Sequence, residues 1–410
     1  MPLVIWYCRS DDRMRITAIE LKNFRNYEHL EQDFFPGAQI LYGNNAQGKT
    51  NILEAIFLCT CARSHRTGRD NELVRQGCDD YDVRLEFLTD KGRAEEIRIH
   101  YLAPVSNDPL RLKPIRHIYY NGVRLERISD MMGIFNAVIF APEDLQIIKD
   151  GPSARRRFLD LLLSQIYPSY FRDLVQYQHL LTQRNNLLKK LRDHSNIEDF
   201  GGDYNLHLEI WDEQLADCSA RIITRRQEII SEIALLANDS IAQITGLKEE
   251  LIMRYRSSVP SVKNQGTKDM REILLGRLRE QAAEDILRGS TGLGPHRDDL
   301  ILSLNGIEVR PYASQGQQRS VVLALKLAEL LLLRQKTGES PVLLLDDVMS
   351  ELDGDRRYRL LQTIEDYQSF LTCTDLSQVL IGCDNRGLAD FIEEYTLFNV
   401  QQAKLTQVFL

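Results

Sequence analysis

The sequence contains few cysteines, and their arrangement excludes two classes of site. Seven cysteines occur in 410 residues, at positions 8, 59, 61, 78, 218, 373 and 383. No pair has the CxxC spacing, and no close histidine completes a pattern of zinc ligands. The odd, scattered set therefore indicates a reduced, cytosolic protein without a zinc site.

Long hydrophobic runs are also absent. The apolar stretches, such as residues 159–163 and 330–333, are far too short to cross a bilayer, and residues 3–6 are too few for the core of a signal peptide. We therefore expect a cytoplasmic location and no membrane partner. Residues 1–13 are interpreted as an N-terminal extension that need not be native, because Met14 offers a second start directly before a strand-like stretch.

An excess of positive charge is missing as well. The chain has 51 lysine and arginine residues against 59 aspartate and glutamate residues, a formal net charge of -8. This balance argues against coating nucleic acid by bulk charge, although a local basic face remains compatible with it. The apolar content of 43% and charged content of 27% exclude a disordered or collagen-like chain, and the length favours two or three domains.

Hydrophobic patterns divide the chain into three parts. Residues 14–150 and 289–410 alternate strand-like and helix-like runs, whereas residues 151–288 are rich in leucine and charge and read as helical. Apolar residues spaced by three and four between positions 208 and 236 predict one long amphipathic helix, interrupted near Arg225. We predict an α/β head built from the N- and C-terminal segments, with an inserted α-helical arm domain.

A phosphate-binding loop is the most specific motif. It fits G-x-x-x-x-G-K-[ST] between a predicted strand at 39–42 and a predicted helix at 49–62. Glycines let backbone N–H groups approach phosphates, the lysine supplies a positive charge and the threonine hydroxyl coordinates Mg²⁺. The alternative is a Gly/Asn-rich turn with a surface lysine. The motif predicts ATP and Mg²⁺ as cofactors, bound by Gly43, Asn44, Asn45, Ala46, Gln47, Gly48, Lys49, Thr50 and the following Asn51.

Two carboxylates follow the apolar run at residues 342–345. In a P-loop site the first acid after such a strand holds Mg²⁺, and the next polarises the attacking water. We assign Asp346, with Thr50, to the metal and Asp347 to catalysis. The alternative is a strand followed by an acidic helix cap.

A serine-led segment precedes the long helix predicted at residues 318–335. Ser314, Gln315 and Gly316 combine a hydroxyl, a backbone and a helix N-terminus, which alone is only a capped helix. Placed between the P-loop and the double aspartate, the segment is similar to the signature loop of ABC-type ATPases. That loop closes over the γ-phosphate held by the partner subunit's P-loop. Ser350 and Asp353 resemble the D-loop of the same class.

Further segments narrow the resemblance to one family. Residues 23–27 (NFRNY), 63–67 (RSHRT), 142–145 (PEDL), 151–160 (GPSARRRFLD) and 294–299 (GPHRDD) resemble, in this order, the RecF family of SMC/Rad50-like ABC ATPases, from Met14 to near the C-terminus. The resemblance implies an ATP-dependent homodimer that binds double-stranded DNA and junctions of single- and double-stranded DNA. It also implies cooperation with RecO and RecR in loading RecA onto SSB-coated strands, in DNA repair and replication restart.

The same resemblance implies roles for individual residues. Asp347 stands where most ABC ATPases have glutamate, which fits a slow, DNA-stimulated ATPase that acts as a switch. No switch histidine follows the strand ending near residue 373, so Thr372 or Thr374 would contact the γ-phosphate. Glu143 and Gln146 are alternatives for the Q-loop position, and Arg63 and Arg66 are candidates for nucleotide or DNA contact.

Basic residues of the arm are candidate DNA contacts, with a solvated charged face as the alternative. His296 is interpreted as a structural histidine. Two other functions fit the motifs less closely: the ATPase subunit of an ABC transporter, and an SMC-like scaffold whose ATP site only latches. The candidate DNA-binding residues are Arg155, Arg156, Arg157, Lys189 and Lys190.

Overall fold

The computed structural model describes residues 13–104, 113–193, 204–246, 249–259, 266–376 and 395–408. They form two compact units. The first comprises residues up to 145, 239–248 and 320–410, and the second comprises 146–238 and 249–319. The predicted arm at 151–288 falls in the second unit, apart from residues 239–248, and this unit also contains residues 289–319. The expected extension lies almost wholly outside the described residues.

Fifteen strands and eleven helices are described. The strands are β1 Arg15–Phe24, β2 Tyr27–Asp33, β3 Ala38–Tyr42, β4 Asp80–Leu88, β5 Ala94–Leu102, β6 Ile115–Tyr120, β7 Val123–Leu125, β8 Ala137–Phe140, β9 Leu251–Arg256, β10 Asp299–Leu304, β11 Ile307–Glu308, β12 Val342–Asp346, β13 Ser369–Cys373, β14 Tyr395–Gln401 and β15 Lys404–Val408. The helices are α1 Lys49–Cys61, α2 Gln146–Lys149, α3 Pro152–Ile166, α4 Pro168–Asp193, α5 Tyr204–Thr245, α6 Thr267–Glu280, α7 Ala282–Arg288, α8 Val309–Tyr312, α9 Gln315–Thr337, α10 Val348–Glu351 and α11 Gly354–Ile364.

A mostly parallel sheet forms the centre of the first unit. Its order is β15-β14-β3-β13-β12-β8, with β15 antiparallel at one edge. Strands β14, β3, β13, β12 and β8 run parallel, so their carboxyl ends meet at one edge. The register pairs Asp346 with Thr372 and Cys373 with Tyr42. This edge therefore collects the residues that follow five strands, several of them far apart in sequence, as ligand sites of α/β proteins do.

A second sheet of the first unit is antiparallel, in the order β2-β1-β4-β5-β6-β7. In β1 the buried residues Ile16, Ile19 and Leu21 are separated by half-buried positions, and the register shifts between Ile16 and Ala18. Helix α1 is buried on nearly its whole circumference, with Ile52, Leu53 and Ile56 fully enclosed. The P-loop helix is thus fixed by apolar packing on all sides.

The second unit combines helices with a three-stranded sheet, β11-β10-β9. Asn305 and Gly306, both at positive φ, make the predicted tight turn between β10 and β11. Helix α5 spans the predicted long helix. Its interruption near Arg225 is explained by the neighbouring Arg226, which is 2% exposed and forms an ion pair with Asp160 at 2.8 Å. The apolar stripe therefore changes there to a buried charge with a partner.

Most predicted strands and helices are confirmed, with ends that differ by a few residues. The helix expected at 49–62 is α1, the strand at 342–345 is β12, and the helix at 318–335 is α9, which starts three residues earlier. Strand β9 was missed because its six residues lie within helix-rich sequence. The five described cysteines are free, and Cys8 and Cys383 lie outside the described residues. Among the described helices, none combines the length and the apolar character that a bilayer crossing requires.

Candidate functional site

The P-loop connects β3 to α1 and depends on two glycines. Gly43 has φ +145°, and a Cβ there would lie 2.4 Å from the carbonyl oxygen of Val400. Gly48 has φ +116°, and its Cβ would lie 2.7 Å from the Tyr27 hydroxyl. Any other residue at these positions would be strained and would clash, so the loop's shape requires glycine.

Lys49 lies inside the loop that it follows. Its Nζ donates to the carbonyl oxygens of Gly43 at 2.6 Å and Asn44 at 2.8 Å. Burial lowers the pKa of Lys49, and the nearby carboxylates of Asp347 and Asp346 oppose that shift. A half-desolvated ammonium in a ring of backbone groups is suited to bind phosphate oxygens, because water competes little for it.

Asp346 ends β12 and is 6% exposed. One of its oxygens, Oδ1, accepts hydrogen bonds from the hydroxyls of Thr50 and Thr372, both at 2.8 Å. Burial raises the pKa of Asp346, and the two hydroxyl hydrogen bonds work in the opposite direction. The structure thus brings Thr50 and Asp346 together, their shared metal role stays a prediction, and Thr372 joins them from the matching position on β13.

The donor set fits Mg²⁺. A carboxylate and a threonine hydroxyl are oxygen ligands, and Mg²⁺ in phosphate sites takes one or two protein ligands with waters and phosphate oxygens. The described residues contain no cluster of three or more His, Cys, Asp or Glu that would hold an ion alone. The pair Thr50 and Asp346 therefore matches a metal that the nucleotide helps to bind.

Asp347 differs from its neighbour in exposure and backbone. It is exposed, has φ +53° in the left-handed region, and precedes α10. Its N–H donates to the Thr372 hydroxyl at 2.9 Å. Aspartate is one of the few non-glycine residues that adopt this conformation, which turns the chain sharply from β12 into α10. The buried and exposed members of the pair thus suit the metal and water roles that the sequence assigned to them.

The expected D-loop and switch residues lie around this edge. The Ser350 hydroxyl donates to the carbonyl of Asp347 at 2.8 Å, and Asp353 caps α11 by accepting from the N–H of Arg356 at 2.9 Å. The hydroxyl of Thr372 is engaged with Asp346. The exposed Thr374 instead lines an open cleft beside the P-loop, of ≈ 420 Å³, together with Tyr42, Gly43, Asn44, Gln47, Asn399, Val400, Gln401 and Gln402.

Arg66 lies near the N-terminal turn of α1. Its Nη1 donates to Asn51 Oδ1 at 3.2 Å, and its Nε lies 3.9 Å from Glu143 Oε1. Its side chain is 36% exposed, so it keeps a face available to an anion. The structure therefore brings Arg66, Asn51 and Glu143 together, whereas Gln146, the other Q-loop candidate, belongs to the second unit. Arg63 is exposed.

The signature segment is an exposed helix cap in the second unit. Gln317 N donates to Ser314 Oγ at 3.2 Å, and Ser314 N donates to Gln317 Oε1 at 3.0 Å, which is a reciprocal capping box. Ser314 and Gln315 are exposed, and Gly316 follows on the first turn of α9. The capped-helix interpretation is therefore correct, and the trans role of the segment stays a prediction.

The candidate DNA contacts differ in exposure. Arg155 is 6% exposed; its Nε and Nη2 donate to Asp299 at 2.7 and 3.1 Å and its Nη1 donates to two backbone carbonyls, so its guanidinium is occupied inside the unit. Arg156 is half-buried and donates to the carbonyl of Asp298 at 2.7 Å. Arg155 is therefore structural, a correction to its expected role. The exposed members of the set are Arg157, Lys189 and Lys190.

Several contacts at the site carried no signal that we recognised in the sequence. Tyr27 Oη donates to the carbonyl of Gly48 at 3.1 Å, and Asn26 Nδ2 donates to the carbonyl of Gln47 at 3.2 Å. Gln402 N donates to Gln47 Oε1 at 2.6 Å from the β14–β15 turn. The NFRNY segment thus stabilises the P-loop through hydrogen bonds to its backbone carbonyls, a role that the sequence of the segment alone does not predict. His296 is structural, as expected, with hydrogen bonds to Tyr177 and to the carbonyl of Thr291.

The α/β head, the P-loop, the paired aspartates and the capped signature helix define an ABC-type ATPase. Residues 15–403 match the family described as RecF/RecN/SMC N terminal domain. The chain is 42% identical over 362 residues to the DNA replication and repair protein RecF of Acetivibrio thermocellus, which covers 88% of this chain and 94% of the relative. The RecF of Halothermothrix orenii is 42% identical over 364 residues, 88% of this chain and 92% of that one.

Solved structures agree with this assignment. The recombination mediator protein RecF of the RecFOR pathway, solved as RecF-ATP, has a TM-score of 0.85 at 36% identity, covering 98% of this chain and 99% of that one. The RecF-ATPrS structure gives 0.84 at 36% identity, covering 98% and 100%. A Pyrococcus furiosus Smc head at 16% identity, with a TM-score of 0.51 and coverage of 97% and 96%, shares the fold. The chain belongs to the RecF family of DNA replication and repair ATPases, which sets aside the transporter alternative.

Proposed function

We propose that the chain is an ATP-gated DNA clamp of the RecFOR recombination pathway. The observation that carries the proposal is the meeting of Lys49, Thr50 and Asp346 at one sheet edge, with Thr372 bridging Asp346 to the backbone of Asp347. Lys49 and the P-loop N–H groups would bind the β- and γ-phosphates, and Thr50 and Asp346 would hold Mg²⁺. When bound, Mg²⁺ would neutralise charge that develops on the phosphates.

Hydrolysis would be slow and would act as a switch. The exposed Asp347 would orient the attacking water and accept its proton. Thr374, also exposed, would contact the γ-phosphate through its neutral hydroxyl. A hydroxyl stabilises the developing charge less than a cation would, so turnover is expected to be weak and to respond to DNA. ATP binding would then set the bound state, and hydrolysis would end it.

The bound state would be a homodimer. The N-terminus of α9, with Ser314 and Gln315 exposed and Gly316 behind them, offers a hydroxyl, N–H groups and a helix dipole to an anion. In the partner subunit this anion would be the γ-phosphate. Ser350 and Asp353 would line the same joint, so ATP would be part of the interface and would stabilise the dimer by mass action.

DNA binding would rest on phosphate contacts and would be independent of base sequence. Arg157, Lys189 and Lys190 are exposed basic side chains of the second unit, and Arg156 is partly accessible. The relatives' place in the RecFOR pathway supports RecR and RecO as partners, with RecA and SSB reached through them. The substrate would be duplex DNA and junctions with single strands, at the nucleoid in the cytoplasm.

Light scattering of molar mass with and without ATP and Mg²⁺ tests the proposal. The wild type should dimerise only with ATP, Asp347→Asn should prolong the dimer, and Lys49→Met and Ser314→Arg should abolish it. Lys49→Met should also lower ATP affinity by at least about 30-fold, because it removes a desolvated cation from the phosphates. A wild-type mass that ATP leaves unchanged would remove the gating mechanism. Dimerisation without any turnover would favour the latching scaffold.

A further inference from the structure

Glu54 is a buried carboxylate one turn beyond the P-loop. It lies on α1, four residues after Thr50, with 0% exposure. An isolated carboxylate would not stay ionised in such a place, because burial disfavours its charged form. Glu54 therefore requires partners, and the structure provides them from two segments, residues 23–27 and 63–67, that the nucleotide mechanism has not used fully.

Arg25 holds the carboxylate from one side. Its Nε donates to Glu54 Oε2 at 2.8 Å and its Nη2 donates to Oε1 at 2.7 Å, a bidentate pair. Burial alone would raise the pKa of Glu54, but the hydrogen bonds from Arg25 and Ser64 and the charge of Arg66 hold it below its ordinary value. Glu54 is thus an ionised carboxylate that carries a full negative charge behind the nucleotide site.

Arg66 is held to the same carboxylate by two routes. Its Nη1 lies 3.5 Å from Glu54 Oε2, close enough for direct attraction. Ser64 Oγ donates to Glu54 Oε1 and also accepts from the N–H groups of Arg66 at 3.0 Å and Thr67 at 3.1 Å. Glu54 therefore fixes both the backbone turn that carries Arg66 and the guanidinium itself.

The charges of the cluster explain why the position of Arg66 matters for an anionic ligand. Two guanidinium groups, of Arg25 and Arg66, face the buried carboxylate of Glu54, and Arg66 also lies 3.9 Å from the carboxylate of Glu143. The side chain of Arg25 is 20% exposed and donates two hydrogen bonds to Glu54. The side chain of Arg66 is 36% exposed and donates to Asn51. Without Glu54 the two cations would repel each other, and the more exposed Arg66 would move away from α1.

We propose that Glu54 is a positioning residue for ATP binding, which holds Arg66 beside the P-loop helix so that its guanidinium meets the nucleotide's phosphates. The inference rests on the proposed function and adds a link from the NFRNY turn, through Glu54, to the nucleotide. A buried salt bridge with no such role would affect folding alone. The separable readout is therefore nucleotide affinity measured beside stability.

The experiment compares Glu54→Gln, Arg66→Gln and the double variant with the wild type by calorimetric ATP affinity, kcat and Tm. Glu54→Gln keeps the shape and removes the charge. We expect its Kd for ATP to rise about tenfold while kcat at saturating ATP changes less than about threefold. In the Arg66→Gln background, Glu54→Gln should raise the Kd for ATP by less than a further factor of about two, because Glu54 acts through Arg66.

The matched control is Glu72→Gln, the same substitution in the neighbouring segment, where the carboxylate accepts from Thr67 and lies near Arg69. Its Kd for ATP should stay within about twofold of the wild type. Should Glu54→Gln not fold, Ser64→Ala removes only the hydroxyl link and should raise the Kd about threefold. A lowered Tm with unchanged ATP affinity, or an equal loss with and without Arg66, would overturn the inference. A wild type that binds no ATP would instead overturn the proposed function.

Discussion

The two units use the same kinds of side chain for opposite purposes. At the edge of the parallel sheet, Arg66 keeps accessible positive charge and Asp347 keeps an exposed carboxylate, while the buried Lys49 donates to backbone carbonyls. In the second unit, Arg184 and Arg226 are 0% and 2% exposed and are surrounded by aspartates. A cation that is paired and buried holds a fold together, while one left partly uncovered binds an anion. The partners of a charged side chain, more than its residue type, therefore separate structural motifs from functional ones.

The buried arginines organise the second unit around the GPHRDD segment. Arg184 donates to Asp212 at 2.6 Å, to Asp285 at 2.7 Å and to Thr291 at 2.9 Å. Arg226 donates to the carbonyl of Pro295 at 2.7 Å. These bonds join α4, α5, α7 and the loop before β10, so the start of the GPHRDD segment is held in place by buried hydrogen bonds.

The strongest way to break the comparison is to remove one buried arginine. Arg226→Ala would remove the cation from Asp160, which keeps the hydrogen bond from Tyr170, and would remove the donor to the carbonyl of Pro295. We expect a loss of about 3–5 kcal/mol in the free energy of unfolding of the second unit, because the fully buried Asp298 and the partly buried Asp160 both lose the nearby cation. Urea denaturation followed by circular dichroism would measure it.

The neighbouring arginine provides the control. Arg225 has a side chain 48% exposed, pairs with Glu228 on the surface and lies over the Tyr167 ring at 4.7 Å. Arg225→Ala should cost less than about 1 kcal/mol. Equal losses for the two variants would show that burial does not separate structural from surface arginines here.

A second test uses acid, because His296 in the buried network is neutral. Burial lowers the pKa of His296 to about 4, from an ordinary value of 6.5, and the charges of Arg297, Arg156 and Arg184 act in the same direction. Between these values the unfolded chain binds a proton that the folded chain does not, so stability falls as pH is lowered through this window. Between pH 6.5 and 5, the wild type should lose about 2 kcal/mol more than His296→Gln.

The measurement is urea denaturation of both proteins at matched pH values, so that the carboxylates common to both cancel. At about pH 8 and above, the histidine is neutral in both states and contributes almost no slope, so the two stability curves should run parallel. Parallel curves below pH 6.5 as well would mean that His296 binds its proton equally well in the folded and unfolded chains. Its surroundings in the folded protein would then be more hydrated than the buried contacts indicate.

The sequence was most informative where one residue type alone can perform the task. The glycines and Lys49 of the P-loop, the paired aspartates and the hydroxyl of Thr50 follow from phosphate and metal chemistry, and the structure assembles them as expected. The role of Thr372 could not be predicted, because it depends on the register of β13 against β12. Charge clusters were the least informative: Arg155 and Arg157 are two residues apart, yet one is buried and the other exposed.

The smallest expected effect concerns Thr372. Its buried hydroxyl contacts both the buried Asp346 and the backbone of the exposed Asp347. Thr372→Val keeps the shape, removes one hydroxyl from Asp346 and leaves the Asp347 N–H without its acceptor. The loss of about 1 kcal/mol should raise the Mg²⁺ concentration needed for half-maximal ATP binding about fivefold at pH 7.

This deficit should grow as pH falls, because burial already raises the pKa of Asp346 and one of the hydroxyls that oppose the rise is gone. Thr60→Val is the matched control, since that threonine is fully buried but donates only to the carbonyl of Phe57 on its own helix. Calorimetric ATP titrations over a Mg²⁺ series at pH 6 and 8 would separate the two. If Thr372→Val and Thr60→Val needed the same Mg²⁺ concentration, the Thr372 hydroxyl would support packing alone. A higher Mg²⁺ requirement in Thr372→Val only would show that this buried hydroxyl strengthens Mg²⁺ binding.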